Sequence, residues 1–361
     1  MKYFLIFLLS FWIQGAMAQQ GSRNDCGTLP PVQKPVISPA MRQNYEAAKV
    51  LYTAPYPIRV FIIVFANDDG SNVAAPEADV LRQFENMRIA YQPHNICFIL
   101  SGYEIRNSSD LNAMNTDEAD DASQVAALAL SNCFTIFIHA SLVDNGGGLN
   151  GSAYAIPNHF LSMSRGAITS TTNLSTMPHE FGHCLGLLHT FEDFYGAENR
   201  ARSGSCKDCE DDGDLLCDTQ ADRNVDDDFI NTSCVYTGSL TDDCGDALLM
   251  EETNIMTYGR RSCRQFFTTG QRDRMHTYLL SSYTGRIADD NILVLANTVS
   301  SGRVTHAARN SITVSPGAGS YVLSGSVLGN FSSRSITLLP GVELKPSTGY
   351  VQLKINWVYC Q

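Results

Sequence analysis

Positive charge is in short supply in this chain. Its 361 residues hold 25 Lys and Arg against 37 Asp and Glu, a net charge of −12. Nucleic-acid binding draws on a basic footprint, and none is available here. Histidine and tryptophan are also scarce, at eight and two residues. After the first residues no apolar run approaches the roughly 20 residues that a helix needs to cross a bilayer, so no membrane span is expected. Cysteine is the exception to this poverty: eleven residues, an odd number.

The opening MKYFLIFLLSFWIQGAMA places Lys2 before an apolar run from Tyr3 to Ile13 and ends on Ala16-Met17-Ala18. A cation, a short apolar core and small residues at a cleavage point form a secretory signal peptide, assigned to residues 1–18. A membrane anchor is the weaker alternative, because the run is too short to span. Export through the Sec pathway would make the protein secreted, extracellular or at the cell surface. Disulfides persist in those compartments, and an odd cysteine count leaves at least one thiol without a partner in the chain.

Residues 19–50 are rich in Gln, Pro, Ser and Asn and read as an extended arm. Ile58–Ala66 (IRVFIIVFA) is β-branched and aromatic, the pattern of a buried strand. Pro76 opens a helix whose Val80, Phe84, Met87 and Tyr91 share one face. Strands are expected at Ile96–Leu100, Phe134–His139 and Gly151–Pro157, with a helix over Asp117–Leu130. Alternation of this kind predicts an α/β or α+β domain with a mainly parallel sheet. From Glu192 to Asp246 Asp, Gly and Cys crowd together and periodicity disappears, so cross-links rather than a core should hold that stretch. Thr268 and Gln271 are spaced as a capping box for a following helix. Beyond about Arg286, Ser311–Gly317 recurs as Ser335–Gly341, 24 positions later, in a region of short β-rich runs. That region reads as a separate all-β module.

The chemistry is concentrated in HEFGHCLGLLHTF, residues 179–191. Pro178 has no amide hydrogen and suits the first turn of a helix. His179 and His183 are then one turn apart on one face, distinct from the stripe of Phe181, Cys184, Leu185 and Leu188. Gly186 can take positive φ and end the helix, which lets His189 swing back as a third nitrogen. Three neutral imidazoles with an open position make a catalytic zinc site, whereas structural sites are filled by four protein ligands. Glu180 would then take a proton from zinc-bound water and deliver it to a leaving amine. A bare HExxH arises by chance, but the full His-Glu-x-x-His-x-x-Gly-x-x-His is far more specific.

That string, with Asn254-Ile-Met256-Thr-Tyr258, GDLLCDT at Gly213–Thr219 and the segment SCRQFFTTGQRDRM, resembles the pappalysin-like (ulilysin-like) metzincin zinc metallopeptidases over roughly residues 50–285. The resemblance implies a metzincin catalytic domain at residues 51–285 with a mixed, mainly parallel sheet and an active-site helix. A signal peptide (1–18) and a pro-segment (19–50) precede it, and a β-rich C-terminal module (286–361) follows. It implies Met256 as the floor beneath the histidines and Tyr258 as a hydrogen-bond donor to the oxyanion. Cys26, in Asn24-Asp-Cys-Gly-Thr28, would be a zymogen thiolate that blocks the zinc; an ordinary half-cystine is the alternative. Asp214, Asp218 and Thr219 are carried over as calcium ligands beside zinc, with a solvated acidic loop as the competing reading. Pairing of Cys244 with Cys263, and of Cys206 or Cys209 with Cys234, is implied too, and a Cys206-x-x-Cys209 zinc knuckle is the rival. Cys97 with Cys133 is a guess from neighbouring strands. Where the family holds an aspartate in the S1′ pocket this chain has Arg261, so basic residues at P1′ should be disfavoured and acidic ones accepted.

The expected function is a secreted zinc-dependent endopeptidase acting on protein or peptide substrates. The alternative is a catalytically silent zinc-bearing surface or binding protein.

Overall fold

The computed structural model describes residues 26–144, 146–225, 229–250 and 252–360. The expected signal peptide and residues 19–25 of the expected pro-segment lie outside them. Helix α1 (Pro39–Leu51) comes first, then strand β1 (Tyr56–Ala66), α2 (Glu77–Tyr91), β2 (Ile96–Asn107), α3 (Ser109–Asn112), β3 (Ala113–Asn115), α4 (Ala119–Leu128) and β4 (Phe134–His139). Short strands β5 (Ser141–Asp144), β6 (Gly147–Gly148) and β7 (Gly151–Ser152) lead to β8 (Phe160–Ser164), α5 (Arg165–Thr169) and α6 (Thr176–Cys184). A long irregular stretch follows before α7 (Thr269–Ser282).

The central sheet runs β2-β1-β4-β8-β7. Its first four strands are parallel and β7 is antiparallel to β8. The sequence of β1 explains its central place: it is buried along almost its whole length, and Val and Ile pack well on both faces of a covered parallel sheet. On one face Val80, Phe84, Met87 and Tyr91 of α2 are fully buried. Phe181 of α6 nests between the rings of Tyr91, Phe98 and Phe134, with centroids 5.0–5.5 Å apart. The Tyr91 hydroxyl donates to the Pro178 carbonyl at 2.9 Å, which ties α2 to the start of α6.

Four expectations need correction. Residues 39–51 are helical rather than extended. Ser38 caps the Met41 amide, Pro39 sits in the first turn and the helix packs along α7, but only Ala48 is fully buried. So exposed a helix leaves little apolar periodicity to read. The strand expected over Gly151–Pro157 stops at Ser152; Tyr154 takes positive φ, which ends extended pairing. Cys97 is bonded to Cys360, and Cys133 is a buried free thiol. In the irregular stretch the bonds are Cys206–Cys244, Cys209–Cys217 and Cys234–Cys263. Neither Cys244–Cys263 nor a Cys206 or Cys209 bond to Cys234 forms, and Cys206 and Cys209 are both committed to bonds that exclude a zinc knuckle. The capping box of α7 is present as read.

The C-terminal strands coil into a parallel stack. β9 (Asn291–Val294), β11 (Ser311–Val314) and β13 (Ser335–Leu338) pair in register, so the two repeat copies lie side by side. The longer β10 (Asn297–Ala307) and β12 (Tyr321–Ser332) pair in parallel, and β14 (Val342–Pro346) and β15 (Tyr350–Lys354) complete the third layer against β12. Tyr321, Leu323, Val327 and Phe331 fill the interior. The chain then returns to the central sheet. The Leu100 amide donates to the Trp357 carbonyl and the Tyr359 amide to Phe98, so residues 357–360 extend the sheet beyond β2. Trp357 joins the main core and is 5% exposed. The otherwise open edge of β2 is thereby covered by the chain itself. Trp357→Ala should lower global stability by about 3–5 kcal/mol in urea denaturation, as a single transition. A separate early transition confined to the tail would contradict the shared core.

Candidate active site

Helix α6 begins at Thr176 and is buried throughout. It presents His179 and His183 to one side while Met177, Phe181 and Cys184 enter the core. Gly186 ends it at φ +87°, and a Cβ there would lie 2.2 Å from the Tyr278 ring. The turn brings His189 back, so that His183 Nε2 lies 3.1 Å from His179 Nε2 and 3.2 Å from His189 Nε2. The outer nitrogens of two rings are fixed: His179 Nδ1 faces the Ile255 carbonyl and His183 Nδ1 the Leu187 carbonyl, each at 2.8 Å. A carbonyl only accepts, so those Nδ1 atoms carry the protons and both Nε2 atoms present lone pairs. Burial lowers all three rings below the usual histidine range, His183 to about 4, and the charge of the neighbouring rings adds to the lowering of His179 and His189. The facing lone pairs of His179 and His183 suit a shared cation. A tetrahedral zinc with bonds of 2.0–2.1 Å requires nitrogens roughly 3.3 Å apart, which this cluster fits.

Met256 is fully buried against Gly182 of α6. A Cβ on Gly182 would come 2.7 Å from its sulfur, so the glycine permits the turn to approach the helix. The turn is anchored by side-chain amides: Asn254 Oδ1 accepts the Met256 amide, and Asn254 and Gln271 exchange hydrogen bonds of 2.9 and 3.1 Å. Tyr258 follows, its ring 4.9 Å from His189 and 5.9 Å from His179.

Residues 26–28 lie across the opening. Cys26 forms a parallel bridge with Gly151 at the sheet edge, and the Gly27 amide donates to the Gly151 carbonyl. Cys26 Sγ and the three imidazole nitrogens are all within 4.8 Å of one another. Glu180 Oε2 accepts from the Cys26 thiol at 3.3 Å and from the Thr28 hydroxyl at 3.1 Å, while Thr28 Oγ1 accepts the Ala153 amide at 2.7 Å. Tyr258 donates to the Cys26 carbonyl.

The segment that carries this geometry is similar in sequence to known proteases. Residues 158–280 match the family model Peptidase_M43: Pregnancy-associated plasma protein-A. The segment that carries the three histidines, Met256 and Tyr258 is thus similar to the pappalysin family of metalloproteases. The chain is 27% identical to an extracellular metalloprotease of Neurospora crassa over 70% of this chain and 87% of that protein. It is 32% identical to human pappalysin-1 over 38% of this chain, but that match spans only 7% of pappalysin-1. The fold is similar to promirolysin of Tannerella forsythia (TM-score 0.50, 17% identity, 73% of this chain and 95% of that one). Among the described residues no helix is long and apolar enough to cross a membrane.

The other predicted residues are dispersed around this pappalysin-like centre. Arg261 is half-buried, and its carbonyl accepts from Ser175 at the start of α6. Of the calcium candidates, Asp218 is engaged elsewhere: its carboxylate accepts from the Thr268 hydroxyl and Gly270 amide at the head of α7. Asp214 and Thr219 are hydrogen-bonded to each other at 2.9 Å. Sequence reasoning missed Glu198, which approaches Asp214. Both are 1% exposed, and Glu198 Oε2 and Asp214 Oδ2 accept no hydrogen bond among the described residues. Burial and then mutual repulsion raise Glu198 to about 8, and burial raises Asp214 to about 7. Carboxyls raised in the folded state contribute stability at low pH that is lost as pH climbs through those values. In a calcium-selective chelator the melting temperature should fall between pH 6.5 and 8, above the range where the buried histidines titrate. Glu198→Gln should flatten that slope, and an unchanged slope in this variant would refute the assignment.

Proposed function

We propose that this protein is exported through the Sec pathway as a latent zinc endopeptidase and that removal of its amino-terminal segment exposes the active centre. The observation that carries the reading is the approach of three imidazole Nε2 atoms and Cys26 Sγ to within 4.8 Å of one another, with Glu180 alongside. His179, His183 and His189 would hold the metal. Zinc bound there supplies a Lewis acid that lowers the pKa of water to about 7. Glu180, which in the latent form accepts from Cys26 and Thr28, would take a proton from the attacking water and pass it to the departing amine once they leave. Tyr258, no longer donating to the Cys26 carbonyl, can donate to the substrate oxygen as it gains charge. Met256 provides an apolar floor that excludes water below the rings.

Latency follows from the same contacts. Burial and the Glu180 carboxylate raise the Cys26 thiol well above its usual range. With zinc held by the three histidines, Cys26 would be a further ligand as its thiolate, since a coordinating thiol is deprotonated outright. Further along the segment the Tyr195 hydroxyl donates to the Pro31 carbonyl, and Lys34 reaches Asp212, so the arm is fastened to the far rim as well. Asp214 and Thr219, joined by Glu198, are the proposed calcium ligands. The support is a pair of buried carboxylate oxygens, Glu198 Oε2 and Asp214 Oδ2, with no hydrogen-bond partner among the described residues, while Arg202 pairs with the other Glu198 oxygen at 2.9 Å; added calcium should abolish the pH slope described above. Arg261 would line S1′ and select acidic residues.

Casein zymography tests the central claim. The processed wild type should clear casein, and Glu180→Ala should lose at least about 10³-fold in kcat/KM while keeping one zinc per chain. Cys26→Ala should be active without processing. Equal inactivity of processed wild type and Glu180→Ala on casein and a broad peptide library would favour a silent zinc-bearing binding protein. Profiling cleavage products should show Asp or Glu enriched at P1′; dominant Arg there would defeat the Arg261 assignment.

A further inference from the structure

The third histidine and Tyr258 reach the site on separate segments, and neither belongs to a regular element. His189 lies beyond the bend that ends α6, and Tyr258 leaves the turn around Met256. Something must fix the distance between them. One backbone bond does so directly, from the Thr190 amide to the Met256 carbonyl at 3.2 Å. The stronger connection runs through a carboxylate contributed by the irregular, cross-linked stretch.

Asp222 is 2% exposed. Its Oδ2 accepts two hydroxyls, Thr190 Oγ1 at 2.6 Å and Thr257 Oγ1 at 2.9 Å. Its Oδ1 accepts the Arg223 amide at 2.7 Å. Thr190 follows His189 directly, and Thr257 stands between Met256 and Tyr258. Thr257 Oγ1 also accepts the Gly259 amide at 3.4 Å, so the hydroxyl orients the backbone on both sides of Tyr258. A carboxylate accepting several hydrogen bonds in a buried site is a strong fixed point, since charge-assisted bonds are about twice as strong as neutral ones.

We propose that Asp222 is a positioning residue that sets the third imidazole and Tyr258 against each other, acting through Thr190 and Thr257. It touches neither substrate nor reacting atoms. The inference rests on the peptidase reading above and adds to it a residue supplied from outside the histidine string and the methionine turn. The choice of a carboxylate is specific. An asparagine could accept both hydroxyls only by turning its amide nitrogen toward the Arg223 amide, where two donors would face each other.

The test compares wild type, Asp222→Asn, Thr190→Val, Thr257→Val and the double Thr variant as full chains. Zinc affinity is measured by competition with a chromogenic chelator, and site geometry by the visible spectrum of the cobalt-substituted protein. Peptide hydrolysis is measured on the processed forms. Asp222→Asn and the double Thr variant should bind zinc 10–100-fold more weakly, show an altered cobalt spectrum, and lose kcat with KM changed less than about twofold. Each single Thr variant should show part of the effect. Should Asp222→Asn fail to fold, the double Thr variant carries the test, because it leaves the carboxylate in place and removes only its connections. Wild-type affinity, spectrum and kcat in the variants would overturn the proposal. So would a kcat loss that merely tracks a fall in melting temperature while the cobalt spectrum stays unchanged. Wild-type protein that binds no zinc and cleaves nothing would instead defeat the peptidase reading on which the proposal stands.

Discussion

The Nε2 atoms of His179 and His183 present lone pairs to each other at 3.1 Å, with His189 Nε2 3.2 Å from the second, and the fold holds them together against their repulsion. Left alone, such rings would rotate away or take up protons. Burial blocks the protons, because an imidazolium would lose its solvation. Carbonyl oxygens block rotation of two of the rings. One of these, from Leu187, belongs to the bend that follows α6; the other, from Ile255, belongs to the turn beneath it. Neither segment gains rigidity from regular secondary structure, so each must be fixed by tertiary contacts. The aromatic cluster around Phe181 fixes the helix. The Asn254–Gln271 pair locks the turn to the head of α7. Convergence on one point is thus a property of the whole domain, although the motif that signals it occupies thirteen residues.

How much of this was legible follows from the range of each interaction. His179, His183 and Gly186 act through helical periodicity and a single dihedral, so their arrangement could be read locally. Strands β1 and β4 were readable because burial on both faces imposes a composition, and the capping box of α7 because both members lie within one turn. The disulfides were not. Cys206, Cys209, Cys217, Cys234, Cys244 and Cys263 all lie in or beside one stretch without periodicity, and spacing alone does not choose among their pairings. The bond between Cys97 and Cys360 joins residues 263 positions apart and depends on the chain end returning to β2, which no local pattern announces. Glu198 and Asp222 were missed for a related reason. A buried carboxylate is recognised by what surrounds it, and in the sequence each looked like one more acid in an acidic region.

That acidic region poses the remaining physical question: how a stretch with almost no apolar core can present Asp222 to within hydrogen-bond length of two hydroxyls. Its own hydrophobic cluster is small, built on Ala221, Val225, Ile230, Leu248, Met250 and Cys263. Such a segment cannot offset its conformational entropy by burial. The cross-links close the gap by restricting the unfolded chain. Cys209–Cys217 closes a short loop ahead of Asp222, Cys206–Cys244 encloses it, and Cys234–Cys263 pins the far end to the residues after the methionine turn. Cys263 adjoins Arg264, which is buried, donates to the Gly259 carbonyl and lies 5.8 Å from the Tyr258 ring centre. The same bond that ends the irregular stretch therefore bears on the segment carrying Tyr258. In an oxidising compartment these bonds persist. Reducing them would release the wall of the cleft, and with it the carboxylate that relates the third imidazole to the tyrosine, while leaving the central sheet and its helices packed as before.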